Sequence, residues 1–317
     1  MKKILIGLLW LFSTALWAQG YPSKPIRIIV PFTPGSATDV MGRLVGERLN
    51  TAWGQPVIVE NKAGAGGTIG IREAARAEPD GHTLVLVSSG HAVNHVLYKD
   101  LGYDTLKDLS AVAMLGSLPS VLIVPPTSPV NSVKELVAML KANPGKHNYA
   151  TAGVGSGAHV GIEKFNVAAG VKAVHVPLKG TPPILTETMA GRVEYAYVPA
   201  VSGMALVREG KVKALAVSTS TRVSALPNVP TLGEAGFPEG ESTFWLALLA
   251  PAKTPADVLG KLNGETQRSL QSADMKERLA KLGTEPMAMS PAQSDAFIAR
   301  EYNELGKIMR DAGLTPQ

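Results

Sequence analysis

The chain has 317 residues, with 31 basic against 26 acidic side chains, six histidines and no cysteine; that length provides for two domains with buried cores of ordinary size. The lack of cysteine excludes disulfides, thiol catalysis and thiolate metal sites together. The net charge of +5 is scattered among few aromatics, which points to neither nucleic acid nor an anionic membrane surface as a partner.

Lys2 and Lys3 precede the apolar run Ile4 to Leu11, and small residues continue to Ala18. Residues 1–18 therefore resemble a secretory signal peptide cleaved after Ala18. No later stretch reaches about twenty apolar residues, and no cysteine at the boundary offers a lipid anchor, so a soluble exported chain is expected. Without Lys2 and Lys3 its charge is 29 basic against 26 acidic, or +3.

Ile26 to Val30 is a β-branched apolar run suited to a strand buried on both faces. Pro31 and Pro34 end it, Gly35 permits a tight turn, and Val40, Leu44, Val45 and Leu49 repeat at helical spacing. The first turn of such a helix has N–H groups without intrahelical partners and a partial positive charge, so Gly35, Ser36, Ala37 and Thr38 form a candidate anion site. The same residues admit a plainer reading, with Thr38 or Asp39 as N-cap and Gly35 as a turn residue only.

A second strand is predicted over Gln55–Glu60, then a glycine turn whose spacing, Gly64, Gly66 and Gly70, does not fit the dinucleotide pattern. A short helix over Ile71–Ala77 and a third strand over Thr83–Val87 follow, the latter ending in Ser88-Ser89-Gly90-His91. This rhythm is that of a parallel sheet flanked by helices. Ligands of such sheets bind beyond the carboxyl ends of the strands, where Phe32 to Asp39 and Ser88 to His91 are expected. No element is assigned between His95 and Val121.

A second unit begins with the strand Val121–Val124 and the helix Val133–Leu140. His147 to Thr151 then leads into Ala152-Gly153-Val154-Gly155-Ser156-Gly157-Ala158-His159 and a helix over Val160–Ala169. The layout of strand, glycine loop with serine, and helix repeats that of the first unit, which suggests two jaws presenting N–H groups to one ligand. Gly153, Gly155 and Ala158 also satisfy a loose G-x-G-x-x-A, but no acidic residue stands near His175 to take a ribose. Strands are predicted over Ala173–Pro177, Tyr195–Val198, Ala214–Val217 and Phe244–Ala250. Helices are predicted from Pro182 to Met189, over Met204–Arg208, and through most of the chain after Ala256.

No G-x-S-x-G, H-E-x-x-H or P-loop occurs. His91 and His95 could share a helix face, but no third ligand completes a metal site; the plainer expectation has His91 lining a cleft and His95 on a helix surface. Glu187 and Glu194 read as solvated helix charges. The sequence asks for no cofactor and no metal, and an enzyme acting on a small organic acid stands as the competing class.

Pro25-Ile26-Arg27-Ile28-Ile29-Val30-Pro31-Phe32-Thr33-Pro34-Gly35, Glu60-Asn61-Lys62-Ala63-Gly64-Ala65-Gly66-Gly67, Pro79-Asp80-Gly81, Tyr98 with Leu101-Gly102-Tyr103-Asp104, and Val229-Pro230-Thr231 with Glu234-Ala235-Gly236 resemble the Bordetella uptake gene proteins, substrate-binding receptors of tripartite tricarboxylate transporters. The resemblance runs from about Tyr21 to the end. It implies an α/β periplasmic binding protein of type II, with two lobes of mostly parallel sheet joined by two crossing strands. Residues 21–120 and 245–317 would form the first lobe, and 121–244 the second. It further implies a monomeric, non-catalytic receptor that delivers its ligand to a membrane transporter of separate small and large subunits. A carboxylate would be held by the loops Phe32 to Asp39 and Thr151 to His159.

The residues and the resemblance together nominate Phe32, Gly35, Ser36, Ala37, Thr38, Asp39, Ser88 and His91 in the first lobe. In the second they nominate Thr151, Gly155, Ser156, Gly157, His159, Lys179, Gly180 and Val198. Ser36 stands where the family often has a second glycine, Leu178 where it often has tyrosine, and Val198 where it often has aspartate. With no carboxylate at Val198 to meet an ammonium, the expected ligand is an acid with an uncharged or aromatic body, walled by Phe32, Leu178, Tyr197 and Val198. A second carboxylate is expected, if at all, near Lys179 or His91.

Overall fold

The computed structural model describes residues 20–316; the signal-peptide reading of residues 1–18 lies outside them. The strands in chain order are β1 (Ile26–Val30), β2 (Val57–Asn61), β3 (Thr83–Ser88), β4 (Leu109–Leu118), β5 (Ser120–Val124), β6 (Asn148–Thr151), β7 (Val174–Pro177), β8 (Tyr195–Pro199), β9 (Lys213–Val217) and β10 (Phe244–Pro251). The helices are α1 (Ala37–Trp53), α2 (Thr68–Ala75), α3 (Asn94–Leu97), α4 (Val133–Ala142), α5 (Gly157–Ala169), α6 (Thr181–Met189), α7 (Ala200–Arg208), α8 (Ala256–Gln271), α9 (Ala273–Lys281) and α10 (Pro291–Asp311).

Two five-stranded sheets result, ordered β2-β1-β3-β10-β4 and β7-β6-β8-β5-β9. The two orders correspond place for place, so the duplication visible in the loops extends to whole lobes. In each sheet the strand that arrives from the other lobe is the reversed one: β10 runs antiparallel to β3 and β4, and β5 to β8 and β9. A chain crossing over enters each sheet at the end where β3 and β8 leave it, so it must run the opposite way. The crossovers are tied by Ser218, whose hydroxyl accepts from Ser120 N (2.9 Å), while Ser242 N donates to Ser218 O (2.9 Å).

Strand β4 is the longest among the described residues and had no counterpart among the predicted elements. Its sequence LSAVAMLGSL lacks both alternation and a β-branched run, since most of it is buried on both faces and close packing favours small residues. Gly116 shows why: a Cβ there would lie 2.7 Å from the Thr284 side chain and 2.8 Å from Glu285 O. Helix α5 begins at Gly157, earlier than the predicted Val160, and α2 at Thr68 instead of Ile71. In both cases glycines next to a strand end conceal the first helical turn from periodicity.

The cores lie against the sheets. Leu84, Leu86, Leu246 and Leu248 face Met41, Val45 and Leu49 of α1; in the other lobe Leu122 and Val124 face Leu136 and Leu140 of α4. Phe32 leaves the first lobe and packs with Val121, Ala150 and Ile184 of the second. The lobes are thus in contact across the cleft.

Candidate functional site

The two glycine loops share three hydrogen bonds, position for position. In the first, Ser36 has extended backbone (φ −70°, ψ 161°) and caps α1 by accepting from Asp39 N at 3.3 Å. Ser36 N donates to Thr33 O (3.2 Å) and Gly35 N to the Asp39 carboxylate (2.9 Å). In the second, Ser156 (φ −70°, ψ 159°) caps α5 by accepting from His159 N at 3.3 Å. Ser156 N donates to Gly153 O (3.1 Å) and Gly155 N to His159 Nδ1 (3.2 Å). The cap is therefore the serine in each loop, not Thr38 or Asp39, and the third helical residue reaches back to the glycine.

Of the N–H groups at each helix start, those bonds satisfy the glycine, the serine and the third residue. Val40 N and Val160 N begin the regular helical ladder. The amides of Ala37 and Thr38, and those of Gly157 and Ala158, have no bond among the described residues. All four residues line one cleft, which brings two helix N-termini, from different lobes, to a single place.

The remaining walls are Phe32, Ser36 and Ser88 of the first lobe, Ala152, Ser156, Thr181 and Pro199 of the second, and Phe244 at the start of β10. None carries a formal charge. The open space is about 20 Å³, room for one water-sized group, so the lobes stand closed over it. A larger space of about 860 Å³ lies behind the crossovers, between Ser117–Ser120, Ser218–Ser224 and α10; no pair of helix starts converges on it, and we place the candidate site in the smaller cleft.

Of the sequence-nominated residues, Phe32, Ser36, Ala37, Thr38, Ser88, Ser156 and Gly157 come together on these walls. Gly35, Asp39, Gly155 and His159 lie just behind and shape the loops. Burial works to raise the Asp39 carboxyl, but hydrogen bonds from Arg43, Gly35 N and Asn61 outweigh it and hold the group below its ordinary value. Thr151 is buried, its hydroxyl 2.6 Å from His175 Nε2 and accepting from Gly153 N. Gly180 packs on Thr33.

Neither Thr151 nor Gly180 lines the cleft, and three further nominated residues are also away from it. His91 is buried in the first lobe, stacked on Tyr103 with ring centroids 6.0 Å apart, and burial holds its imidazole at about 4. Lys179 is exposed. Val198 is fully buried in the core of the second lobe, as is Tyr197. The wall expected from Leu178, Tyr197 and Val198 is instead Phe244, Pro199 and Ala152. His95 is half-buried and stacked on Tyr302, not free on a helix surface. Thr181 was missed because Pro182-Pro183 marked only a helix start, and Phe244 because it opens a strand far along the chain from either glycine loop.

His159 gives the second loop a pH dependence that sets in near pH 6.5, above the carboxylate range in which Asp39 of the first loop titrates. Burial and the neighbouring His175, 4.4 Å away, hold its imidazole at about 3, so it stays a neutral acceptor for Gly155 N. In the unfolded chain it protonates near 6.5. The stability tied to this group is thus fully present above pH 6.5 and is lost as pH falls from there toward 3. His159→Asn keeps a short acceptor, as Asp39 provides in the sister loop, and removes the titration. We expect the loss of unfolding free energy between pH 6.5 and 5 to shrink by about 2 kcal/mol in this variant; denaturant titrations giving parallel pH curves for the two proteins would disprove it.

Comparison with known proteins identifies the family. The model of the tripartite tricarboxylate transporter family receptor matches residues 41–314. The chain is 38% identical over 300 residues to protein BugT of Bordetella pertussis, covering 93% of this chain and 91% of that one. It is similar to R. palustris Rpa4515, solved with adipate (30% identity, TM-score 0.89, 94% of this chain and 100% of that one), and to MatC from Rhodopseudomonas palustris with bound malate (32%, TM-score 0.86, 91% and 99%). The chain belongs to the tripartite tricarboxylate transporter receptor family, whose members are periplasmic binding proteins and not enzymes.

Proposed function

We propose that this chain is a periplasmic receptor that clamps one carboxylate of a small organic acid between its two lobes and delivers it to the membrane subunits of a tripartite tricarboxylate transporter. It works as a monomer after removal of residues 1–18. No helix among the described residues is long and apolar enough to cross a membrane, so delivery requires a membrane partner. The observation that carries the reading is the convergence of Ala37, Thr38, Gly157 and Ala158 amides from two lobes on one cleft.

Four charge-assisted hydrogen bonds at about 1.5–3 kcal/mol each give roughly 6–12 kcal/mol. A micromolar Kd needs about 8, so contact with Phe32, Phe244 and Pro199 makes up the balance against the cost of association. The walls offer no carboxylate to an ammonium, whose desolvation without an opposite charge costs several kcal/mol. They also offer no cation to a second carboxylate. The ligand is accordingly an acid whose body is uncharged where it meets the walls, in preference to any amino acid; the adipate and malate held by relatives likewise lack an ammonium.

Calorimetric titration of the mature protein with adipate, malate, benzoate, aspartate and glutamate tests this. We expect a micromolar Kd for at least one of the first three, at least tenfold tighter than for either amino acid. Preference for aspartate or glutamate would overturn the selectivity, and binding confined to neutral or cationic solutes the carboxylate reading itself. Delivery is tested separately by uptake of the bound acid in cells lacking the protein, where an unchanged rate would refute the transport role.

A further inference from the structure

Outside the cleft, the first lobe grips the back of the second lobe's ligand loop. The Tyr98 hydroxyl donates to Val154 O at 2.7 Å. Asn94 is fully buried; with its amide nitrogen toward the loop it donates to Gly155 O (3.2 Å) and to Gly90 O (3.3 Å). Its other end then faces the Tyr103 hydroxyl, 3.4 Å away. Gly66 lies so near that a Cβ there would overlap Val154 O. Val154 and Val160 of the second lobe also share an apolar cluster with Val93, Val96 and Leu97 of the first.

These groups touch the segment just before Ser156, whose following amides, Gly157 and Ala158, face the cleft. None of them lines the cleft itself. Tyr98 to Val154 O and Asn94 to Gly155 O exist only with the lobes together, because these two bonds run from one lobe to the other, while Gly90 O and the Tyr103 hydroxyl hold Asn94 in place within the first. We propose that Tyr98 and Asn94 are positioning residues that latch the closed form from outside the binding site and so set how long a ligand stays. This rests on the reading of the two lobes as a clamp. Association begins with the lobes apart and does not use the latch; release requires breaking it.

Tyr98→Phe keeps the ring and its packing and deletes the hydroxyl. One hydrogen bond at about 0.5–1.5 kcal/mol corresponds to about a 2- to 10-fold faster dissociation, with the association rate unchanged. The test uses stopped-flow dissociation of the tightest acid found by calorimetry, and inter-lobe distances in the ligand-free protein from spin labels at Lys107→Cys and Lys172→Cys. With no native cysteine, labels attach only there. We expect Tyr98→Phe to shift the ligand-free distances toward the open form and to raise the dissociation rate. Ligand-free distances identical to those of the parent would overturn the latch, whatever the rates do. That measurement needs no ligand, so a failure to bind any acid would count against the carboxylate reading and leave the latch to be judged on distances alone.

Discussion

Gly90→Ala is expected to lower carboxylate affinity by about 10²- to 10⁴-fold while leaving the fold intact. Gly90 lies in the 3-10 turn Ser89–Ala92 after β3, and its φ is not in the left-handed region, so alanine is conformationally acceptable there. The three nearest atoms to an added Cβ all belong to the second lobe: it would overlap Gly155 O and lie 2.8 Å from Gly157 N and from Ser156 C. The clash therefore arises only on closure. With the lobes propped apart, a carboxylate reaches one helix start and loses two of four charge-assisted bonds, about 3–6 kcal/mol. Calorimetry reads the affinity, small-angle scattering should show a larger radius than the parent at saturating ligand, and the melting temperature without ligand should stay within a few degrees. Parent-like affinity would mean that the cleft need not close to bind.

Ala37→Pro is expected to weaken binding by about 10- to 150-fold without weakening α1. Ala37 is the first residue of the helix, where proline is favoured because the N–H has no helical acceptor. Ser36 already has the extended backbone that a residue before proline requires. The substitution thus removes one cleft donor and puts ring carbons in its place, a loss of about 1.5–3 kcal/mol for a charged ligand group. Ala37→Ser, which retains the N–H, should bind within about threefold of the parent. If calorimetry gives equal Kd values for the proline and serine variants, the α1 amides do not hold the ligand. A lower affinity accompanied by a lower melting temperature would indicate damage to the loop and not loss of a donor.

The two-lobed plan and the pair of glycine loops were legible in the amino acids because they rest on local relations. Strand runs such as Ile26–Val30 and helical spacing such as Val40, Leu44 and Leu49 involve neighbours within one element. The serine caps and the backward reach of Asp39 and His159 span four residues at most. The repeated layout suggested a common ligand, the resemblance implied a carboxylate, and comparison with known proteins showed the family.

Other features depended on residues far apart in the chain. Whether an amide at a helix start is free for a ligand turned on the third residue's side chain, which took Gly35 and Gly155 out of the set and left Ala37, Thr38, Gly157 and Ala158. His91 and Val198 looked available by type, yet the packing of Tyr103 and of the second sheet buries both away from the cleft. Strand β4 had no pattern because its burial on both faces removes alternation. Phe244 and Pro199 became cleft walls because a crossover strand starts, and β8 ends, where the lobes meet. The sequence by itself thus determined the local units, their duplication and the chemistry of the two loops. Only the tertiary structure decided which groups meet across the lobes, since contacts such as Tyr98 to Val154 come from closure and leave no periodic trace along the chain.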